Sequence, residues 1–117
     1  MWVLTLINYE YQCAFCDVIF NNILVASHIV RWKDNPLARG DLSNIICLCR
    51  FHDPLFEYGY IGLSDDYNVI KKTTTIQVVN QILVFVERFR VLSEFPSNPK
   101  YLSLHRKRTG LDYKSIY

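Results

Sequence analysis

The sequence predicts a small α+β domain in which two short strands and a helix are stapled by a metal site. Three observations lead there. Two pairs of Cys and His residues have metal-ligand spacing, two apolar runs are separated by a polar loop, and a helix signal follows the second run at once. The chain has 117 residues, half of them apolar and 15% aromatic, which suits one domain with a modest core.

The elements follow in order. "WVLTLI" (2–7) reads as a strand or a short helix that closes the core. "YQCAFCD" (11–17) has the form of a tight cysteine knuckle. "NNILVASHIV" (21–30) reads as a turn and then a strand of β-branched and aliphatic residues. Residues 31–44 hold Pro36, Gly40, two Asp and two Asn, the composition of a loop. "IICLC" (45–49) is a second short strand. "HDPLFEYG" (52–59) reads as a short helix, with Asp53 as N-cap, Pro54 in the first turn and Gly59 as the stop. Residues 60–70 suit a hairpin or extended pair. In 75–92, apolar residues at 79, 82, 83, 86 and 89 fit a helical period, although the β-branched content keeps a strand open. "PSNP" (96–99) breaks the chain before a last short helix carrying Tyr101, Leu102 and His105.

Charge and composition narrow the function classes. No apolar run approaches the ~20 residues of a membrane helix. "MWVLTLI" lacks the basic start and long apolar stretch of a signal peptide. An intracellular setting of the cytoplasmic, prokaryotic type is therefore expected, and in it cysteines serve as ligands or core residues more readily than as disulfides. The net charge of +2 does not by itself indicate nucleic acid. Its distribution is more informative: Arg31, Lys33, Arg39 and Arg50 bracket the central segment, while His105–Arg108 forms a basic cluster that reads as a solvated end.

Cys13-x2-Cys16 precedes the strand–loop–strand–helix unit, and Cys49-x2-His52 closes it. Each pair can wrap one side of a tetrahedral ion, and Cys3His is an ordinary structural zinc sphere. The bland alternative is buried core cysteines. Cys47 alternates with Cys49 on the second strand and reads as a small core residue, with replacement of Cys49 as ligand the lesser alternative. His28 sits in an apolar run, where an imidazole is either a satisfied core group or a base held ready to react. Asn44, at the start of the second strand, is a turn residue or a functional amide.

From Cys13 to Leu63 the chain resembles the HNH endonuclease domain, a ββα-metal (His-Me) finger, in its restriction-type form with a zinc knuckle. The residues that carry the resemblance are "CAFC", "LVASHIVRW" and "LSNIICLCRFHDPLFEYGYIGL", and "PSNPKYLSLHR" resembles the ending of that group. It implies two antiparallel strands plus a helix with flanking helices and strands, in a single nuclease domain over 1–117 with a core motif at about 11–63 and an extension at 64–117. The implied activity is metal-dependent hydrolysis of phosphodiesters in double-stranded DNA.

The resemblance assigns roles residue by residue. His28 matches the base that activates water, Asn44 the central asparagine, which orients His28 or lies close to the metal, and Asp53 the last position of the motif, a carboxylate suited to a catalytic Mg²⁺ or Mn²⁺. Cys13, Cys16, Cys49 and His52 match a structural zinc site. The alternative gives His52 to the catalytic metal and leaves zinc with three cysteines and another group. Ser27 stands where many relatives carry a further ligand, which implies more water on the catalytic metal. Arg31, Lys33, Arg39 and Arg50 are expected on DNA phosphates. A homodimer is compatible with cutting two strands. The competing functions are a non-catalytic zinc-containing nucleic-acid-binding module and a fragment of a larger restriction enzyme.

Overall fold

The computed structural model describes residues 2–111 apart from 32, 73, 87, 91 and 93. Trp32, one of the residues that carry the resemblance, thus lies outside the described residues. The ends of 2–7 are settled as helix: α1 spans Trp2–Asn8 and packs Thr5 and Leu6 inward. Glu10 and Tyr11 then take positive φ (56° and 60°), reversing the chain into the cysteine knuckle.

β1 (Leu24–His28) and β2 (Ile45–Cys49) pair antiparallel, with Leu24 opposite Cys49 and His28 opposite Ile45. All five residues of β2 are buried, since α1 lies against this hairpin and the rest of the core fills the space around it. That two-sided burial explains the unbroken apolar run "IICLC". The core continues through Tyr9, Phe15, Phe56 and Phe89, with Phe15 5.6 Å from Phe89 and 6.2 Å from Phe56, centroid to centroid.

α2 spans Asp53–Glu57. The cap differs from expectation: His52 is the N-cap residue and Asp53 the first helical one, with no side-chain capping bond. Asp53 is therefore not spent on the helix end. Gly59 does stop the helix, at φ 82°, and a Cβ there would collide with Thr109. β3 (Ile61–Leu63) and β4 (Val69–Lys71) form the expected hairpin.

α3 covers only Gln77–Val84 of the periodic stretch 75–92. The helix starts without a side-chain cap and is rich in β-branched residues, both of which weaken it. Beyond it the irregular chain still delivers Val86 and Phe89 to the core, and Arg90 N–H bonds to the Ala14 carbonyl (3.0 Å). Apolar positions that mimic a helical period are thus buried by two different conformations. α4 (Pro99–Thr109) opens on Asn98, whose side chain accepts from Lys100 N–H (2.9 Å), and ends at Gly110 in the left-handed region. Among the described residues no helix is long and apolar enough to cross a membrane.

Candidate functional site

The knuckle is shaped by its backbone before any ion enters. Cys13 N–H bonds to the Val18 carbonyl (3.0 Å), closing the loop, and Ala14 N–H bonds to the Cys47 carbonyl (2.8 Å), docking it on β2. Cys49 ends β2 and His52 caps α2, so the second pair arrives on the turn between strand and helix. One ligand atom each from Cys13, Cys16, Cys49 and His52 lies within 4.8 Å of the others. Cys16 and Cys49 Sγ are 3.8 Å apart. Zn–S bonds of ~2.3 Å at the tetrahedral angle place sulfurs ~3.8 Å apart. His52 turns Nδ1 inward, 3.2 Å from Cys49 Sγ and 3.8 Å from Cys13 Sγ. The cluster is compatible with a zinc site, and Cys49 fills the place for which Cys47 was the alternative.

The electrostatics agree with a site that needs a cation. Bonds to Cys16 and Cys49, reinforced by burial, push the Cys13 thiol far up, while the Cys13 and Cys16 donors hold Cys49 far down. Burial opposes charge on His52, but its bonds to Cys13 and Cys49 outweigh this and carry the imidazole up to about 9. Cys47 stands apart, its thiol pushed up to about 12 by burial, as befits a core residue.

At the other end of the hairpin, His28 is half-buried and Nε2 lies 3.2 Å from the Arg39 carbonyl. A carbonyl can only accept, so Nε2 carries the proton and Nδ1 is the basic nitrogen of the neutral ring. Asn44 is fully buried beside it. Its Oδ1 accepts from Val30 N–H (2.8 Å), and its Nδ2 donates to the Val30 and Ala38 carbonyls (3.1 Å each). One amide thereby ties the residues just after His28 to the segment that supplies the Arg39 carbonyl. The loop is pinned again from α4: Tyr101 donates to Asp41 Oδ2 (2.8 Å), and Ser43 caps Asp41 Oδ1 through N–H (2.9 Å) and hydroxyl (2.7 Å). Ser43 first, then Tyr101, hold the Asp41 carboxyl below its usual range.

Asp53 is half-buried, and its carboxylate makes no hydrogen bond or ion pair with the described residues. Glu57 escaped the sequence reading, although its spacing of four from Asp53 puts both on one face of α2. It lies 3.7 Å from Arg108. Three of the four expected DNA contacts, Arg31, Lys33 and Arg39, sit on the loop after His28. Arg31 pairs with Asp34 (3.1 Å). Arg50 sits instead at the Cys49 end, its backbone N–H on the Ile23 carbonyl (2.9 Å).

Residues 13–64 match a family model described as HNH endonuclease. No curated protein matches the chain.

Proposed function

We propose that this protein, whose residues 13–64 match the HNH endonuclease family model, is a metal-dependent DNA endonuclease of restriction type. The observation that carries the reading is the arrangement around His28: Nε2 spent on the Arg39 carbonyl, Nδ1 left basic, and Asn44 locking the backbone on both sides. His28 Nδ1 takes a proton from water as the oxygen attacks phosphorus, and the P–O bond to the leaving nucleoside breaks. General-base assistance of this kind contributes roughly 10²–10⁴-fold. Asn44 acts through His28 as a positioning residue.

Asp53 offers a hard oxygen donor with no described partner, and Glu57 lies on the same face. This donor chemistry fits Mg²⁺ or Mn²⁺ held by one or two carboxylates, with water and phosphate completing the sphere. Such an ion supplies stabilisation of charge on the phosphate and the leaving oxygen. Cys13, Cys16, Cys49 and His52 hold a structural zinc in this reading, and Arg31, Lys33, Arg39 and Arg50 hold backbone phosphates. The chain acts as one domain over 1–117, and a homodimer places two sites on two strands.

The test is incubation of zinc-loaded protein with supercoiled plasmid and Mg²⁺ or Mn²⁺, repeated with EDTA. Nicked or linear product with either ion and none with EDTA is expected. Binding without cleavage under both ions would instead make the protein a non-catalytic zinc module.

A further inference from the structure

The last turn of α4 carries Arg106, Lys107 and Arg108, and the structure separates their roles. Arg106 is committed, donating to the Leu63 carbonyl (2.8 Å) and to Asp65 (2.9 Å). Lys107 is exposed. Arg108 is neither. Its Nη1 is 3.7 Å from Glu57, beyond hydrogen-bond length, and its Nη2 is buried without an acceptor among the described residues.

Arg108 lines a cavity of about 240 Å³ whose wall includes Ile29 and Val30, the two residues that follow His28. Asn35 lines it as well, with no side-chain bond to the described residues. Asp34, also on the wall, is already paired with Arg31. The wall therefore includes two residues with unspent donors, Arg108 and Asn35, next to the segment that Asn44 locks. Buried donors are nearly always satisfied, so a donor left over beside a cavity calls for an acceptor from outside.

We propose that this cavity is a subsite for a backbone phosphate of the DNA, with Arg108 as its principal ligand and Asn35 as the second donor. The proposal rests on the nuclease reading of the His28 side. A guanidinium matches phosphate oxygens through paired N–H donors, and Glu57, 3.7 Å away, takes up none of its hydrogen bonds. The site places one phosphate beside the strand end that carries the base, and so sets the register of the substrate rather than its sequence.

The experiment is a salt titration of binding to a labelled duplex, with Ca²⁺ replacing Mg²⁺, alongside plasmid cleavage, melting temperature and zinc content. Arg108→Ala should weaken binding about tenfold and reduce the slope of log K against log salt by about one. Cleavage should fall at least as far. Arg108→Lys should keep the slope but restore only part of the affinity and cleavage, because it keeps the charge and loses the fork. An Arg108→Ala protein with wild-type slope and cleavage, whether or not its melting point falls, overturns the subsite. If Arg108→Ala does not fold, full wild-type affinity and cleavage in Arg108→Lys overturns it. A wild-type chain that neither binds nor cuts duplex DNA removes the nuclease reading itself, an outcome distinct from wild-type cutting that Arg108 does not affect.

Discussion

At the Leu24–Cys49 end of the β1–β2 hairpin, three thiols and an imidazole converge in a largely buried cluster whose donors compete for protons. At the His28–Ile45 end, a half-buried imidazole is held through one backbone carbonyl while an asparagine locks the loop around it. The same two strands thus carry a cluster compatible with a zinc site and an imidazole whose placement comes from hydrogen bonds. In the proposed function, stability and reactivity are separated along the five residues of each strand, so substitutions at the two ends should fail in different ways.

The largest effect belongs to the metal end. Cys13→Ser or Cys16→Ser should lose the bound zinc and the cooperative melting transition together. A structural zinc site contributes on the order of 10 kcal/mol, comparable to or above the net stability of a small domain. Metal analysis beside a thermal melt checks this, and a folded, unstripped protein without zinc would erase the contrast between the ends.

Asn44→Ala comes next. It strips partners from Val30 N–H and from the Val30 and Ala38 carbonyls in a buried site. Denaturant unfolding should show a loss of ~2–4 kcal/mol, with zinc retained and cleavage reduced. Zinc loss in this variant would mean that the two ends are coupled.

A third region sharpens the comparison through pH. His105 stacks on Phe56 (centroids 4.0 Å, 6°) and donates Nε2–H to the Phe56 carbonyl (2.7 Å). Burial, only partly offset by that bond, pushes its imidazole down to about 4 from 6.5. The unfolded chain therefore binds this proton before the folded chain does. The stabilisation is complete above the unfolded value near 6.5 and is lost as pH falls toward 4, by up to ~3 kcal/mol. Unfolding measured between pH 7 and 5 should show this slope, and His105→Gln should flatten it.

The smallest effects on stability, within ~0.5 kcal/mol, are expected from Lys33→Ala, Arg39→Ala and Arg50→Ala, all exposed. Each should lower the salt slope of DNA binding by about one. Equal slopes for wild type and the triple variant would make these residues solvated surface only.

What was legible in the sequence was local. The Cys and His pairs, both strands of the central hairpin, the 61–71 hairpin and the capped α4 all announce themselves within a few residues. What was hidden depends on distant partners. Val86 and Phe89 continue a helical period yet reach the core from irregular chain, because burial rewards an apolar side chain in either conformation. Asp53 looked like a cap because Asp-Pro suits that position, but the cap place fell to His52, which the turn from Cys49 carries there. The Tyr101–Asp41 bond spans 60 residues, and the Glu57–Arg108 pair joins two helices that no short pattern connects. At the site, the family resemblance pointed to His28 and Asn44, which residue type alone left open, whereas the free nitrogen of His28 emerged only from the Arg39 carbonyl.

The most direct measurement is the cleavage rate of His28→Ala on supercoiled plasmid, taken with its zinc content, melting temperature and DNA affinity. The account predicts a folded, zinc-loaded protein that binds DNA as wild type does and cleaves at least about a hundredfold more slowly. A variant destabilised by ~1–3 kcal/mol that retains wild-type turnover per folded molecule would make His28 a packing residue and contradict the account.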